Sequence, residues 1–117
     1  MSTIERLETG PRMSQAVIHN GLVYLAGQVA VDAPGASVPE QTRNILQRID
    51  ALLAAAGTDK TRILSATVWL ADMRAFAELN SVWDKWVAQG ATPARACVEA
   101  KLASTDYTVE IGIIAAR

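Results

Sequence analysis

The chain has 117 residues, of which half are hydrophobic and a fifth are charged, and its formal net charge is −1. This length fits one domain with one core, so we treat 1–117 as a single domain. The near-neutral charge argues against nucleic-acid binding, which needs a strongly basic surface to neutralise phosphates. No apolar run is long enough to span a membrane, and the N-terminus does not resemble a signal peptide, so we expect a cytoplasmic protein.

Cysteine and histidine are nearly absent, with one residue of each. A single cysteine excludes an internal disulfide, and one Cys with one His does not form a cluster at metal-ligand spacing. We therefore expect chemistry without a metal or another cofactor.

Strands and helices are predicted in the order β-β-β-α-β-α-β-β. Asn20-Gly21 is a strong hairpin signal between the second and third strands. Ser37 and Glu40 form a capping box at the start of the first helix, and Gly57 ends it. Asp72 is expected to cap the second helix. The strands are predicted at 4–8, 16–19, 22–26, 63–71, 95–102 and 107–115, and the helices at 38–56 and between 72 and 90.

Two helices can cover only one face of such a sheet, so the second face should be polar if it meets water. If Leu64, Val98 and Ile111 face the helices, the other face carries the side chains Trp69, Cys97 and Ile114. An exposed apolar sheet face is usually an interface. The pattern therefore predicts a homo-oligomer that packs through its sheets.

The strand after Pro93 alternates between polar and apolar side chains. Arg95 and Cys97 fall on one side, whereas Ala96 and Val98 fall on the other, which looks like an ordinary core face. Arginine is a permanent cation whose planar donor fork suits carboxylates. Arg95 is therefore either a carboxylate anchor or a solvated or ion-paired surface residue.

Glu110 is the second candidate for chemistry. In a simple hairpin of the last two strands, its side chain would share a face with Arg95. It could position a water molecule and shuttle a proton, or it could form a structural ion pair.

Asn80 lies on the second helix beside the apolar stripe, where a polar group needs a partner. It could bond a neighbouring loop or donate to a ligand. Cys97, two residues from Arg95, is more often a small buried hydrophobe than a nucleophile. The lone His19 is expected at a surface turn rather than in a base role.

The ordered set of motifs resembles the reactive intermediate deaminase family, also called RidA or YjgF, over nearly the whole chain. The carriers are Ser14-Gln15-Ala16-Val17, Leu25-Ala26-Gly27-Gln28-Val29, Gln41-Thr42-Arg43-Asn44-Ile45-Leu46, Phe76 with Asn80, Pro93-Ala94-Arg95-Ala96-Cys97-Val98-Glu99 and Val109-Glu110-Ile111.

This resemblance implies a chorismate-mutase-like α+β fold, with two helices on one face of a mixed sheet and a homotrimer with sites between subunits. It also implies hydrolysis of enamines and imines, such as 2-iminopropanoate and 2-iminobutanoate, to 2-oxo acids and ammonia. By motif position, Arg95 matches the carboxylate-binding arginine and Glu110 the water-activating glutamate, while Asn80 and Cys97 match pocket positions.

Two pocket positions depart from the best-known branch of that family. Met13 stands where that branch has a tyrosine, and Ala26 where it has a serine, so two hydroxyl groups are lost. A trimer that binds small carboxylates without turnover, as a metabolite sensor or regulator, is therefore the alternative function.

Overall fold

The computed structural model describes residues 3–117, which form one seven-stranded mixed sheet and two α-helices on one face of it. This confirms the predicted α+β class and element order, with one two-residue strand added after the third. The strands are β1 Glu5–Thr9, β2 Ser14–His19, β3 Leu22–Leu25, β4 Gln28–Val29, β5 Ile63–Leu70, β6 Ala94–Glu99 and β7 Val109–Ala116, and the helices are α1 Val38–Ala55 and α2 Phe76–Trp86.

The strands lie in the order β1-β2-β3-β7-β5-β6, and β4 pairs with β7 beside the end of β3. Among the strands within residues 3–117, only β5 and β6 pair in parallel. The predicted hairpin of the last two strands is therefore wrong, because β5 lies between β6 and β7. The sequence of β7 is apolar on both faces, which suits a central strand, whereas β6 forms the edge.

Local sequence signals set the turns and the ends of α1. Asn20 and Gly21 adopt φ values of 50° and 76°, as a two-residue type I′ hairpin turn requires. Ser37 accepts a hydrogen bond from the Glu40 amide at the start of α1. At its other end, Gly57 has φ 82° and the Thr58 amide bonds the Leu53 carbonyl, which is the Schellman arrangement.

The second helix differs from its prediction at both ends. Asp72 caps a 3₁₀ turn, Met73–Ala75, that leads into α2, and the helix itself begins without a side-chain cap. It ends at Trp86, four residues before the limit at position 90 that the sequence predicted. Neither helix within residues 3–117 combines the length and apolar character that a membrane span needs.

The two faces of the sheet differ in what covers them. Val68 and Ile111 are fully buried on the face under the helices. The register pairs Val68 with Cys97, so Cys97 lies on the helix-covered face, and the side assigned to it from sequence is wrong. The prediction is also wrong for Val98, which the register pairs with Trp69 on the open face.

The open face is rich in apolar side chains. Tyr24, Leu64, Val98 and Ile114 are each between 36% and 48% exposed. Trp69 lies among them, with its ring over Gly112. Leu64 is exposed because the pairing of β5 with β7 slips between Ile63 and Ser65. Such a face matches the predicted exposed apolar surface, although its members differ from those expected.

Candidate functional site

Arg95 lies near the start of β6 and points towards α2. Its Nη1 donates a hydrogen bond to Asn80 Oδ1 at 2.9 Å. Its guanidinium carbon lies 5.8 Å from the ring centroid of Phe76 and 5.2 Å from that of Trp83. Residues 76, 80 and 83 share one face of α2 because they are four and three positions apart. The helix therefore presents two rings and an amide that hold the guanidinium in place.

The positive charge of Arg95 has no acidic partner among residues 3–117, where the salt bridges involve other arginines. This geometry does not support the structural ion pair that the sequence left open. A guanidinium has five N–H donors, and one bond to a neutral amide leaves most of them available. A half-buried cation with free donors is suited to an anionic ligand.

Cys97 lies next to this cluster on the helix-covered face and is half-buried. Burial raises the pKa of its thiol, and the nearby Arg95 charge offsets this only in part. A thiol with a raised pKa stays protonated near neutral pH, whereas nucleophilic cysteines need the thiolate. Cys97 therefore suits the wall of a pocket rather than a nucleophile.

Glu110 lies on β7, where the register pairs it with Val29 on one side and Trp69 on the other. Its carboxyl group lies directly against Gly27. A Cβ built on Gly27 would collide with Glu110 Oε2 and lie 3.0 Å from Cδ. Gly27 thus leaves the space that this carboxylate occupies. Among residues 3–117, no side chain forms a salt bridge with Glu110.

The turn around Ala26 is fixed by two glutamines. The Ala26 amide donates to the Gln15 carbonyl at 2.9 Å, and Gln28 Nε2 donates to the Ala26 carbonyl at 3.0 Å. Gln28 is 2% exposed, and its Nε2 also donates to Gln15 Oε1. These bonds hold the turn that carries Gly27 beside Glu110.

Met13 lies in the loop between β1 and β2, two residues before Gln15, and is 51% exposed. Its carbonyl accepts the Gly10 amide at 2.8 Å. Through Gln15, the Met13 loop and the Ala26 turn lie at the same part of the sheet. Met13 and Ala26 therefore lie towards the end of the sheet that carries Glu110, and we call these three residues the Glu110 half-site.

Arg95, Asn80 and Cys97 form a second group, the Arg95 half-site, and the chain does not bring the two groups together. Arg95 pairs through Ala66 with Ile113, three residues from Glu110 on β7. Two strand spacings, from β6 across β5 to β7, and three residue rises along β7 separate the Cα atoms of Arg95 and Glu110 by roughly 14 Å. Because three is odd, the two side chains also point to opposite faces. The shared face predicted for Arg95 and Glu110 is therefore wrong.

Within residues 3–117, no three His, Cys, Asp or Glu side chains converge as metal ligands would. His19 lies at the hairpin turn, where its Nε2 is 3.1 Å from Asn20 Nδ2, as its sequence position predicted.

The fold and the two half-sites define a class: small α+β domains with a mixed sheet, two helices on one face and a cation held by the second helix. Residues 3–117 match the family model described as Endoribonuclease L-PSP. The chain belongs to this family, whose members are also named YjgF, RutC and Rid.

Several relatives match over almost their whole length. A RutC family protein of Haemophilus influenzae is 48% identical, covering 97% of both chains. The RutC family protein YoaB of Escherichia coli is 44% identical over 97% of this chain and 98% of its own. A YjgF family crystal structure from Neisseria meningitidis has a TM-score of 0.95 at 49% identity, covering 98% of this chain and 95% of the other.

Sequence reasoning missed two parts of the site. The sequence did not single out Trp83 as a contact of Arg95, nor Gly27 as the residue that leaves space for Glu110. The spacing of Phe76, Asn80 and Trp83 was the available signal for the first. No sequence signal marks the second, because contact between Gly27 and Glu110 requires β4 to pair with β7.

Proposed function

We propose that this protein hydrolyses reactive 2-imino acids to 2-oxo acids and ammonia, at sites formed between the subunits of a homotrimer. The observation that carries the proposal is Arg95, a half-buried guanidinium held by Asn80, Phe76 and Trp83 without an acidic partner among residues 3–117. Every 2-imino acid has a carboxylate that this cation can bind.

Arg95 anchors the substrate through its carboxylate. Its planar fork makes two parallel charge-assisted hydrogen bonds to such a group. The rings of Phe76 and Trp83 limit the positions that the guanidinium can take. This restriction orients the adjacent imine carbon and supplies catalysis by positioning.

A second copy of the chain is required because the two half-sites lie on opposite faces, roughly 14 Å apart. In the proposed trimer, the Arg95 half-site of one subunit meets the Glu110 half-site of its neighbour. Arg95 and Glu110, which form no salt bridge within residues 3–117, complement each other in charge. The apolar open face supplies the surface for this assembly.

Glu110 manages the water and the protons. The oxygen of a water molecule attacks the imine carbon and forms a C–O bond, while the C=N electron pair moves to nitrogen. Glu110 accepts a proton from that water and returns it to nitrogen. Glu110 then takes the hydroxyl proton and passes it to nitrogen as the C–N bond breaks, so that ammonia leaves and the C=O bond of the 2-oxo acid forms. Because an imine is already electrophilic, no stronger nucleophile is needed.

The test is a competition between hydrolysis and trapping. An amino-acid oxidase generates a series of imino acids, and semicarbazide traps those that survive, so an active protein lowers semicarbazone formation. We expect Arg95→Ala to lower kcat/KM by about 10²- to 10³-fold, since two charge-assisted hydrogen bonds contribute about 3–4 kcal/mol. Arg62→Ala, which removes an exposed arginine elsewhere, is the matched control. Near-normal turnover by folded Arg95→Ala would refute the assignment.

Binding without turnover is the second candidate, and the residues at positions 13 and 26 favour it. Met13 and Ala26 have no hydroxyl group to bond a substrate or a water molecule. In that case 2-oxobutanoate would bind in an Arg95-dependent manner, measured by calorimetry, while the decay of imines would be unaffected. Catalysed decay of any imino acid in the series would exclude this candidate.

A further inference from the structure

A concave surface lies between the two helices, away from both half-sites. This helix groove has a volume of 560 Å³ and is bounded by Arg43 and Asp50 of α1, Lys60 of a second 3₁₀ turn (Lys60–Arg62), and Lys85 and Trp86 of α2. Ligand pockets usually fall between about 300 and 1,000 Å³. The groove therefore has the size of a small-molecule site.

The groove carries an excess of positive charge. Arg43, Lys60 and Lys85 line it, and none of them forms a salt bridge within residues 3–117. Asp50 is the only carboxylate in the lining, and it accepts a hydrogen bond from Trp86 Nε1 at 3.0 Å. Three cations thus face one acid that is already hydrogen-bonded, which favours an anion.

The groove also has an aromatic and apolar part. The Trp86 ring is partly exposed, and Lys60 Nζ lies 5.4 Å from its centroid. The neighbouring ring of Trp83 lies 5.4 Å away and inclined by 53°. Leu46 and Val82 supply the apolar floor. A flat apolar body can therefore lie on this floor while an attached anionic group reaches the cations.

We propose that the helix groove binds a small planar anion, meaning an aromatic or heteroaromatic ring that carries a carboxylate or phosphate group. The groove is distinct from the Arg95 half-site. Ser81 and Lys85 face the groove, whereas Asn80 and Trp83 contact Arg95 on another side of α2. The proposal does not depend on the proposed imine hydrolysis.

The three tryptophans provide a site-resolved measurement. Trp86 lies in the groove, Trp83 lies beside it, and Trp69 lies on the open sheet face. Two-dimensional ¹⁵N NMR resolves their indole N–H groups during titration with 1-naphthoate and 1-naphthyl phosphate. We expect saturable shifts at Trp86 and none at Trp69. The neutral 1-naphthalenemethanol and inorganic phosphate should each bind at least five-fold more weakly. The tighter of the two naphthyl anions identifies the preferred anionic group.

Substitutions separate this site from the Arg95 half-site. Titrations in an Arg95→Gln background remove the other candidate anion site and should leave binding in the groove unchanged. In that background, Arg43→Gln and Lys60→Gln should each raise Kd about three- to five-fold, as expected for one exposed ion pair. Added salt should also weaken binding. Lys101→Gln is the charge-matched control and should have no effect.

Any one of three results would overturn the proposal. The Trp86 shift could be lost in the Arg95→Gln variant, the affinity could be unchanged in both groove variants, or the Trp69 signal could respond while the Trp86 signal does not. Arg43 is exposed and Lys60 is half-buried, without a hydrogen bond from its ammonium within residues 3–117, so the variants should fold. The absence of imine hydrolysis would not affect this inference.

Discussion

Gly27→Ala tests whether Glu110 must occupy the space that Gly27 leaves. The added methyl group would collide with Glu110 Oε2, and the carboxylate would have to retreat by roughly 1 Å to reach van der Waals contact. Gly27 does not have a positive φ, so the backbone accepts alanine. The free energy of unfolding should therefore change by less than about 1 kcal/mol, because the end of a flexible side chain can move.

Catalysis should be much more sensitive than stability. A misplacement of about 1 Å at a reacting group can lower a rate about 10²-fold, so we expect kcat for imine hydrolysis to fall by that order. The assay is the semicarbazide competition, with thermal unfolding measured on the same samples. Gly10→Ala is the control, because its added Cβ would lie at an ordinary 3.5 Å from the Met13 carbonyl oxygen.

A double-mutant cycle identifies the route of the effect. If Gly27→Ala acts by moving the carboxylate, it should lower kcat little further once Glu110→Gln has removed the charge. An equal loss in both backgrounds, or full activity of Gly27→Ala alone, would refute the reasoning.

Three further predictions concern other parts of the molecule. The raised pKa of Cys97 means that less thiolate is present at a given pH than in free cysteine, so iodoacetamide should alkylate the folded protein more slowly than free cysteine at pH 8. Cys97→Ser should keep activity, and alkylation faster than that of free cysteine would contradict the prediction. Gln41 is fully buried, donates hydrogen bonds to the carbonyls of Ala36 and Asp106, and accepts one from the amide of Thr108. Gln41→Ala should therefore lower the free energy of unfolding by about 3 kcal/mol and Tm by about 10 °C, whereas Gln47→Ala at an exposed position should not. Equal melting temperatures for the two variants would contradict this prediction. Val98→Glu should prevent assembly through the open face and give a folded monomer by light scattering, whereas Thr105→Glu should leave assembly intact. A trimeric Val98→Glu variant would refute the open face as the interface.

The groups near Arg95 show how far sequence reasoning reached. The residue types and the family pattern identified Arg95 and Asn80 as candidates, and the hydrogen bond between them is present. The pattern also indicated that Cys97 was unlike a nucleophile, and burial of its thiol agrees. The roles of these residues in turnover stay predictions.

The local sequence determined the first hairpin turn and the two ends of α1. Asn20-Gly21 specifies a tight hairpin, and Ser37 and Gly57 specify the ends of α1, because each acts on backbone groups within a few residues. These interactions are the same wherever the element lies in the fold.

The tertiary structure decided which strand neighbours which, and therefore which face each side chain occupies. Alternation along β6 separates Arg95 from Val98, but it does not say which of them meets the helices. The aromatic face of α2 accommodates the guanidinium, so Arg95 lies under the helix and Val98 lies on the open side. The insertion of β5 between β6 and β7 then separates Arg95 from Glu110. Strand order depends on contacts between distant segments, which periodicity along one strand does not record.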